Sequence, residues 1–97
     1  MNVVGLLNDS VHRVLVTGGA GVLGGAGVRR LLKESQVEVF NLDKFGYASD
    51  LRSIQDLPQA RDRHHVLRVD LADLEATNAA VAHADPDLIL HLAAESH

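Results

Sequence analysis

The sequence predicts an α/β fold: a parallel sheet of about four strands, in the order 3-2-1-4, with helices on both faces. Two observations predict it. Short apolar runs alternate with helix-like segments three times and end in a fourth apolar run. A glycine-rich turn follows the first of these runs. Strand–helix alternation is typical of parallel sheets, because right-handed crossovers place the helices on the sheet faces.

The first half of the chain is expected to hold two strands and two helices. Residues 14–16 form an apolar run that indicates a strand buried on both faces. The helix after the glycine-rich turn should extend to Glu34. Its predicted inner stripe is Leu23, Ala26, Gly27 and Leu31. Residues 37–42 predict strand two, and residues 50–57 predict a short helix that Pro58 stops.

The second half repeats this pattern. Residues 66–69 predict strand three. Asp73 is a good N-cap for a helix that runs to about residue 83. The residues expected to share one side of that helix are Leu74, Asn78 and Val81. Residues 88–90 begin strand four, which should end near residues 92–94.

Composition limits both the size and the partners of the protein. With 97 residues, 46% of them hydrophobic, the chain forms at most one domain. We expect a flexible leader at residues 1–12 and the domain at residues 13–97. A net charge of −4 without a Lys/Arg block argues against nucleic acid. No run approaches the ~18 apolar residues of a membrane span. The absence of cysteine excludes disulfides and fits a cytoplasmic location.

The glycine-rich turn carries the main functional signal. Gly18, Gly21 and Gly24 recur at three-residue spacing between a predicted strand and a predicted helix. The first glycine would permit a tight turn, the second a close approach of backbone amides to a pyrophosphate, and the third close helix packing. This pattern predicts a dinucleotide site at the start of a partial Rossmann fold. A purely structural loop is the alternative.

An acidic residue supports the dinucleotide interpretation. Asp43 ends strand two, nineteen positions after Gly24, close to the ~20 expected for a carboxylate that binds the adenosine ribose. Its charge would repel a 2′-phosphate and so favour NAD over NADP. The ammonium of Lys44 could offset that repulsion.

Other polar residues suggest little chemistry. His64 and His65 are adjacent, so on a strand they face opposite ways and cannot share a metal ion. His91 is expected to be a partly buried strand residue, and Arg63 part of a solvated loop. Thr17 either bonds the backbone of the turn or simply ends its strand. We therefore expect no metal site.

Three stretches resemble a known family. Residues 17–24 resemble the Thr-Gly-x-x-Gly-x-x-Gly pattern of extended short-chain dehydrogenases/reductases, the NAD-dependent epimerase/dehydratase family. Residues 41–48 and 91–97 are similar to stretches of dTDP-glucose 4,6-dehydratases. The resemblance covers residues 13–97 but only the amino-terminal part of a full family member, with the substrate domain absent.

The resemblance implies roles for particular residues. Asp43 and Lys44 would lie on the adenosine side, and Asp70 and Leu71 beside the adenine. The other implied cofactor contacts are Gly18, Gly21, Val22, Leu23, Gly24, Leu92, Ala93 and Ala94. The implied substrate contacts are Ser96 and His97, at the mouth of a sugar-nucleotide pocket.

The resemblance also implies a reaction. In these dehydratases, which are lyases, NAD takes a hydride from C4 of dTDP-glucose, water leaves, and the hydride returns at C6. The family's Tyr-x-x-x-Lys pair is missing here, since Tyr47 follows both Lys33 and Lys44. We therefore expect no catalytic residue in this chain, no activity from it alone, and a homodimer only for the full-length protein. The alternatives are a fragment of a sister sugar-nucleotide epimerase and a non-catalytic nucleotide-binding remnant.

Overall fold

A computed structural model describes residues 3–18, 22–44 and 51–91 of the chain. The strands are β1 (Arg13–Thr17), β2 (Glu38–Asp43), β3 (His64–Arg68) and β4 (Leu88–His91). The helices are α1 (Val22–Glu34), α2 (Leu51–Gln55) and α3 (Leu74–Ala84). Short 3-10 turns occupy Val3–Leu6 and Pro58–Ala60.

The four strands form one parallel sheet in the order β3-β2-β1-β4. The predicted fold and strand order are therefore confirmed. The middle strand β1 has its apolar run fully enclosed, with Val14, Leu15 and Val16 at most 1% exposed. Burial on both faces explains why this run shows no polar alternation.

Two apolar clusters fill the two sides of the sheet. Val14, Val16 and Val39 pack beneath α1 and α2, where they meet Val28 and Ile54. The opposite cluster lies beneath α3 and consists of Leu15, Phe40, Leu42, Ala80 and Ala84. Each helix thus covers one face, as strand–helix–strand crossovers require.

The inner stripe predicted for α1 is partly wrong. Gly27 and Leu31 are buried as expected, but Ala26 is exposed. From Gly24 onward, where the structure describes the side chains of α1, the buried positions are Gly24, Gly25, Gly27, Val28, Leu31 and Leu32, and the predicted Leu23 lies outside that description. A rotation of 100° per residue turns Ala26 away once Gly24 and Val28 face the sheet.

The stripe predicted for α3 is only partly confirmed: Val81 packs against the cluster beneath the helix, but Leu74 and Asn78 are exposed. Leu74 is 73% exposed, whereas Ala80 and Ala84 are buried against the sheet. The predicted N-cap is confirmed, because the Asp73 side chain accepts a hydrogen bond from the Ala76 amide at 3.1 Å. Leu74 lies in the first turn after that cap.

Element boundaries differ from the predictions by one or two residues. β3 begins at His64 rather than at residue 66, and β2 covers Glu38–Asp43 rather than residues 37–42. Pro58 does not only stop the preceding helix, since it also opens the turn Pro58–Ala60. Polar residues extend β3 because parallel pairing with β2 satisfies their backbone groups.

The leader has a defined place in the fold. Val4, Leu7 and Val11 pack against the apolar cluster beneath α1. The amide of Glu38, at the start of β2, donates to the carbonyl of His12. Residues 4–11 therefore add apolar contacts to the domain, and the flexibility proposed for residues 1–12 stays a prediction.

Candidate functional site

The carboxyl ends of β1 and β2 lie side by side at one edge of the sheet. Thr17 pairs with Leu42 in the parallel register. One residue further on, the Gly18 amide donates to the Leu42 carbonyl at 3.0 Å. Gly18 has φ 79°, in the left-handed region where a side chain would add steric cost. Gly18 is thus tied directly to the strand that carries Asp43.

Asp43 occupies the last position of β2, next to the glycine turn. Asp43 is only 8% exposed. Its carbonyl accepts the amide of Val69 at 3.1 Å, which extends the β2–β3 ladder to this edge. Lys44 follows and is exposed. The structure therefore brings Gly18, the first glycine of the predicted turn, next to the strand position of Asp43.

The predicted adenine neighbours lie just after β3, at the same edge. Asp70 is exposed, and its Oδ1 accepts the Ala72 amide at 3.0 Å. Leu71 is 37% exposed. Asp70 thus shapes the turn that leads into α3, and Leu71 presents an apolar surface beside it.

Several predicted site residues lie outside the described residues: Gly21, Leu92, Ala93, Ala94, Ser96 and His97. The backbones of Val22 and Leu23 form the first turn of α1, and their side chains are outside the description. Their predicted contacts stay predictions.

Sequence reasoning missed a hydrogen bond between β1 and β4. Thr17 Oγ1 bonds His91 Nδ1, and the two residues are register partners at the carboxyl ends of their strands. Thr17 therefore ends β1 and uses its hydroxyl across the sheet. His91 is exposed rather than partly buried. The sequence could have indicated this bond only through the expectation that both residues end neighbouring strands and lie on the same face of the sheet.

His64 and His65 face opposite sides of the sheet, as predicted. His64 Nε2 lies 3.2 Å from Asn41 Nδ2. His65 Nε2 lies 2.8 Å from Glu38 Oε2, and its ring stacks on Phe40 at 4.6 Å. Burial, assisted by the nearby His65, lowers the pKa of His64 to about 4. His64 is therefore neutral at pH 7.

The described ranges contain neither a cluster of metal ligands nor a membrane-spanning helix. Within residues 3–18, 22–44 and 51–91, no group of three or more His, Asp or Glu side chains is placed to hold a metal ion. In the same ranges, no helix is long and apolar enough to cross a membrane.

An open cleft of about 540 Å³ lies at the other end of the sheet. The leader and the connection between α1 and β2 form its walls. The lining residues include Leu7, His12 and Gln36. No predicted site residue lines it.

The described edge fits a dinucleotide. Gly18 adopts a conformation in which a Cβ would be costly, and the start of α1 follows the turn. The Asp43 carboxylate stands at the neighbouring strand end, where ribose hydroxyls could donate to it. Gly18 and Asp43 therefore lie at neighbouring strand ends, as the predicted dinucleotide site requires.

Comparison with known proteins shows the family. The family model described as "NAD dependent epimerase/dehydratase family" matches residues 14–97. Among curated relatives, the dTDP-glucose 4,6-dehydratase of Escherichia coli is 42% identical over 85 residues, which are 88% of this chain and 23% of the relative. The chain therefore spans about a quarter of the length of such relatives.

Solved structures share the fold. The dTDP-glucose 4,6-dehydratase of Bacillus anthracis, crystallised with NAD, matches 87% of this chain and 27% of its own, with a TM-score of 0.74 and 24% identity. A UDP-glucose-4-epimerase of Stenotrophomonas maltophila with bound NAD matches 89% of this chain and 25% of its own, with a TM-score of 0.70 and 26% identity. Because the family model matches residues 14–97, the chain belongs to the NAD dependent epimerase/dehydratase family.

Proposed function

We propose that this chain is the NAD-binding portion of a sugar-nucleotide dehydratase that acts on dTDP-glucose. The observation that carries the proposal is the juxtaposition of the Gly18 turn and Asp43 at one sheet edge. The curated relatives named dTDP-glucose 4,6-dehydratase support the reaction class.

The residues of this chain would bind and orient the cofactor. The amides of the glycine turn and of the start of α1 would hold the pyrophosphate, because a helix amino end favours negative charge. Asp43 would accept hydrogen bonds from the adenosine ribose hydroxyls. When bound, NAD supplies reversible hydride transfer. Asp70 and Leu71 would flank the adenine.

Residues 92–97 would add further contacts to the cofactor and the substrate. Ser96 and His97 would contact the nucleotide sugar, and Leu92, Ala93 and Ala94 would lie along the cofactor. Catalysis would depend on residues that the longer relatives carry beyond the matched quarter. We propose a cytoplasmic location, and a homodimer for the full-length protein.

The test is the replacement Asp43→Ala, read out as the dissociation constant for NAD in isothermal titration calorimetry. We expect roughly 5- to 150-fold weaker binding, the range for leaving charged hydrogen bonds unmade. The wild type should prefer NAD to NADP, and the replacement should reduce that preference, because it removes the charge that repels a 2′-phosphate.

Asp62→Ala is the matched control. Asp62 is also an aspartate but is exposed and precedes β3 at the opposite edge of the sheet. Its replacement should leave NAD binding unchanged. Equal NAD affinity for Asp43→Ala and the wild type, with both proteins folded by circular dichroism, would refute the assignment.

A second candidate is a sister sugar-nucleotide epimerase. The structural match to a UDP-glucose-4-epimerase favours it. The dehydratase is preferred because the curated relatives with the higher identity carry that name. Both candidates place NAD at the same edge.

A further inference from the structure

An arginine lies beside the carboxylate that the proposed function places on the adenosine ribose. Asp43 and Arg68 are the last register partners of the parallel strands β2 and β3. Neighbouring strands lie about 4.8 Å apart, and register partners in a parallel pair point to the same face of the sheet. The next amide, of Val69, donates to the Asp43 carbonyl at 3.1 Å, so the pairing of the two strands extends to this edge.

The two residues differ in their exposure to solvent. Asp43 is almost fully buried, whereas Arg68 is exposed at the end of β3. A long arginine stem can lie along a protein surface while its guanidinium stays in water. A ligand that reaches the Asp43 carboxylate from solvent therefore also meets the positive charge of Arg68.

The charges at these two strand ends balance. Residues 42–44 and 67–70 contain two acidic residues, Asp43 and Asp70, and two basic residues, Lys44 and Arg68. Asp43 alone would repel a phosphate on the 2′ position of the ribose, but the two cations offset that repulsion. Arginine is also well suited to a phosphate, because its planar guanidinium can donate two parallel hydrogen bonds to the phosphate oxygens.

We propose that Arg68 is a specificity-determining residue at the adenosine end of the cofactor site: its guanidinium, beside Asp43, receives a ribose 2′-phosphate and so limits the preference for NAD over NADP. This inference rests on the proposed NAD binding and adds a second ligand to the same site. The Asp43 carboxylate accepts hydrogen bonds from the unphosphorylated ribose, and Arg68 binds the 2′-phosphate when NADP takes the place of NAD.

The decisive variants are Arg68→Met, which keeps an unbranched stem and removes the charge, and Arg68→Lys, which keeps a positive charge. Isothermal titration calorimetry gives the dissociation constants for NAD and NADP. We expect Arg68→Met to bind NADP about tenfold more weakly than the wild type, with NAD affinity within about twofold. Arg68→Lys should retain most of the NADP affinity. Added salt should reduce the difference between the wild type and Arg68→Met, because it screens charges at an exposed site.

Arg61→Met is the matched control. Arg61 is also an exposed arginine, but it precedes β3 and so lies at the opposite edge of the sheet. Its replacement should leave both dissociation constants unchanged.

The ratio of the two dissociation constants separates this inference from the proposed function. If the wild type binds both dinucleotides and Arg68→Met leaves the ratio unchanged, the role of Arg68 is refuted and the proposed NAD binding stands. The same holds if the wild type binds NAD but not NADP. If the wild type binds neither dinucleotide, the proposed function is refuted and the inference falls with it. Equal weakening of NAD and NADP by Arg68→Met would indicate a structural role and would also overturn the inference.

Discussion

At the scale of single residues, a neutral imidazole is built into the sheet. His64 lies beside Asn41 on the side of the sheet that α1 and α2 cover. Burial, and secondarily His65, lowers the pKa of His64 to about 4 from an ordinary 6.5. Between about pH 4 and pH 6.5, the unfolded chain therefore binds more protons than the folded one.

This difference predicts an acid-sensitive contribution to stability. Stability rises with pH wherever the unfolded state binds more protons, so the His64 contribution is complete above pH 6.5 and is lost as the pH falls towards 4. Urea unfolding at several pH values should show a shallower pH dependence for His64→Gln than for the wild type. His12→Gln, at an exposed histidine, should follow the wild type. Parallel curves for His64→Gln and the wild type would contradict the prediction.

At the scale of elements, the end of α1 depends on a distant arginine. Arg63, in the connection before β3, donates to the carbonyls of Leu32 at 2.5 Å and of Ser35 and Val37 at 2.9 Å. The last carbonyls of a helix have no partner within the helix, so an external cation satisfies them. The prediction that Arg63 belongs to a solvated loop is wrong.

Removing that guanidinium should destabilise the protein. We expect Arg63→Ala to lower the free energy of unfolding by roughly 2–3 kcal/mol, because it leaves half-buried carbonyls unpaired. Arg61→Ala is the control, since Arg61 is exposed two residues earlier and should change stability by less than about 0.5 kcal/mol. Denaturant titration measures both, and equal values would contradict the capping role.

Much of the fold and part of the site could be predicted from local pattern. Gly18 and Asp43 follow apolar runs, and parallel strands bring their carboxyl ends to one edge. The roles of Arg63 and Thr17 could not be predicted, because their partners are distant in the chain. Every residue offers a carbonyl, so nothing in the sequence marks the three that Arg63 selects. The prediction for Leu74 was wrong for a related reason: the helical period of α3 alone does not determine which side of the helix faces the sheet.

At the scale of the whole molecule, β4 forms an edge of the described sheet and carries an exposed apolar side chain. Ile89 is 53% exposed. Edge strands offer unpaired backbone groups that can pair with another chain, and an apolar side chain strengthens such pairing.

We expect the 97-residue chain, studied in isolation, to self-associate through this edge. Ile89→Lys should reduce the mean mass measured by light scattering at high concentration, because a charge on an edge strand opposes pairing. Leu74→Lys is the control: Leu74 is even more exposed, at 73%, but lies on a helix. An equal reduction by both replacements would indicate general stickiness rather than strand pairing.

The packing of the leader has a consequence for how this domain is delimited. The family match starts at residue 14, yet Val4, Leu7 and Val11 contact the same apolar cluster as Val28 and Leu31. A boundary chosen by sequence alignment would thus remove side chains that shield the interior. Similarity between relatives and packing are separate criteria, because apolar residues that pack on this interior occur already at Val4, ten residues before the family match begins.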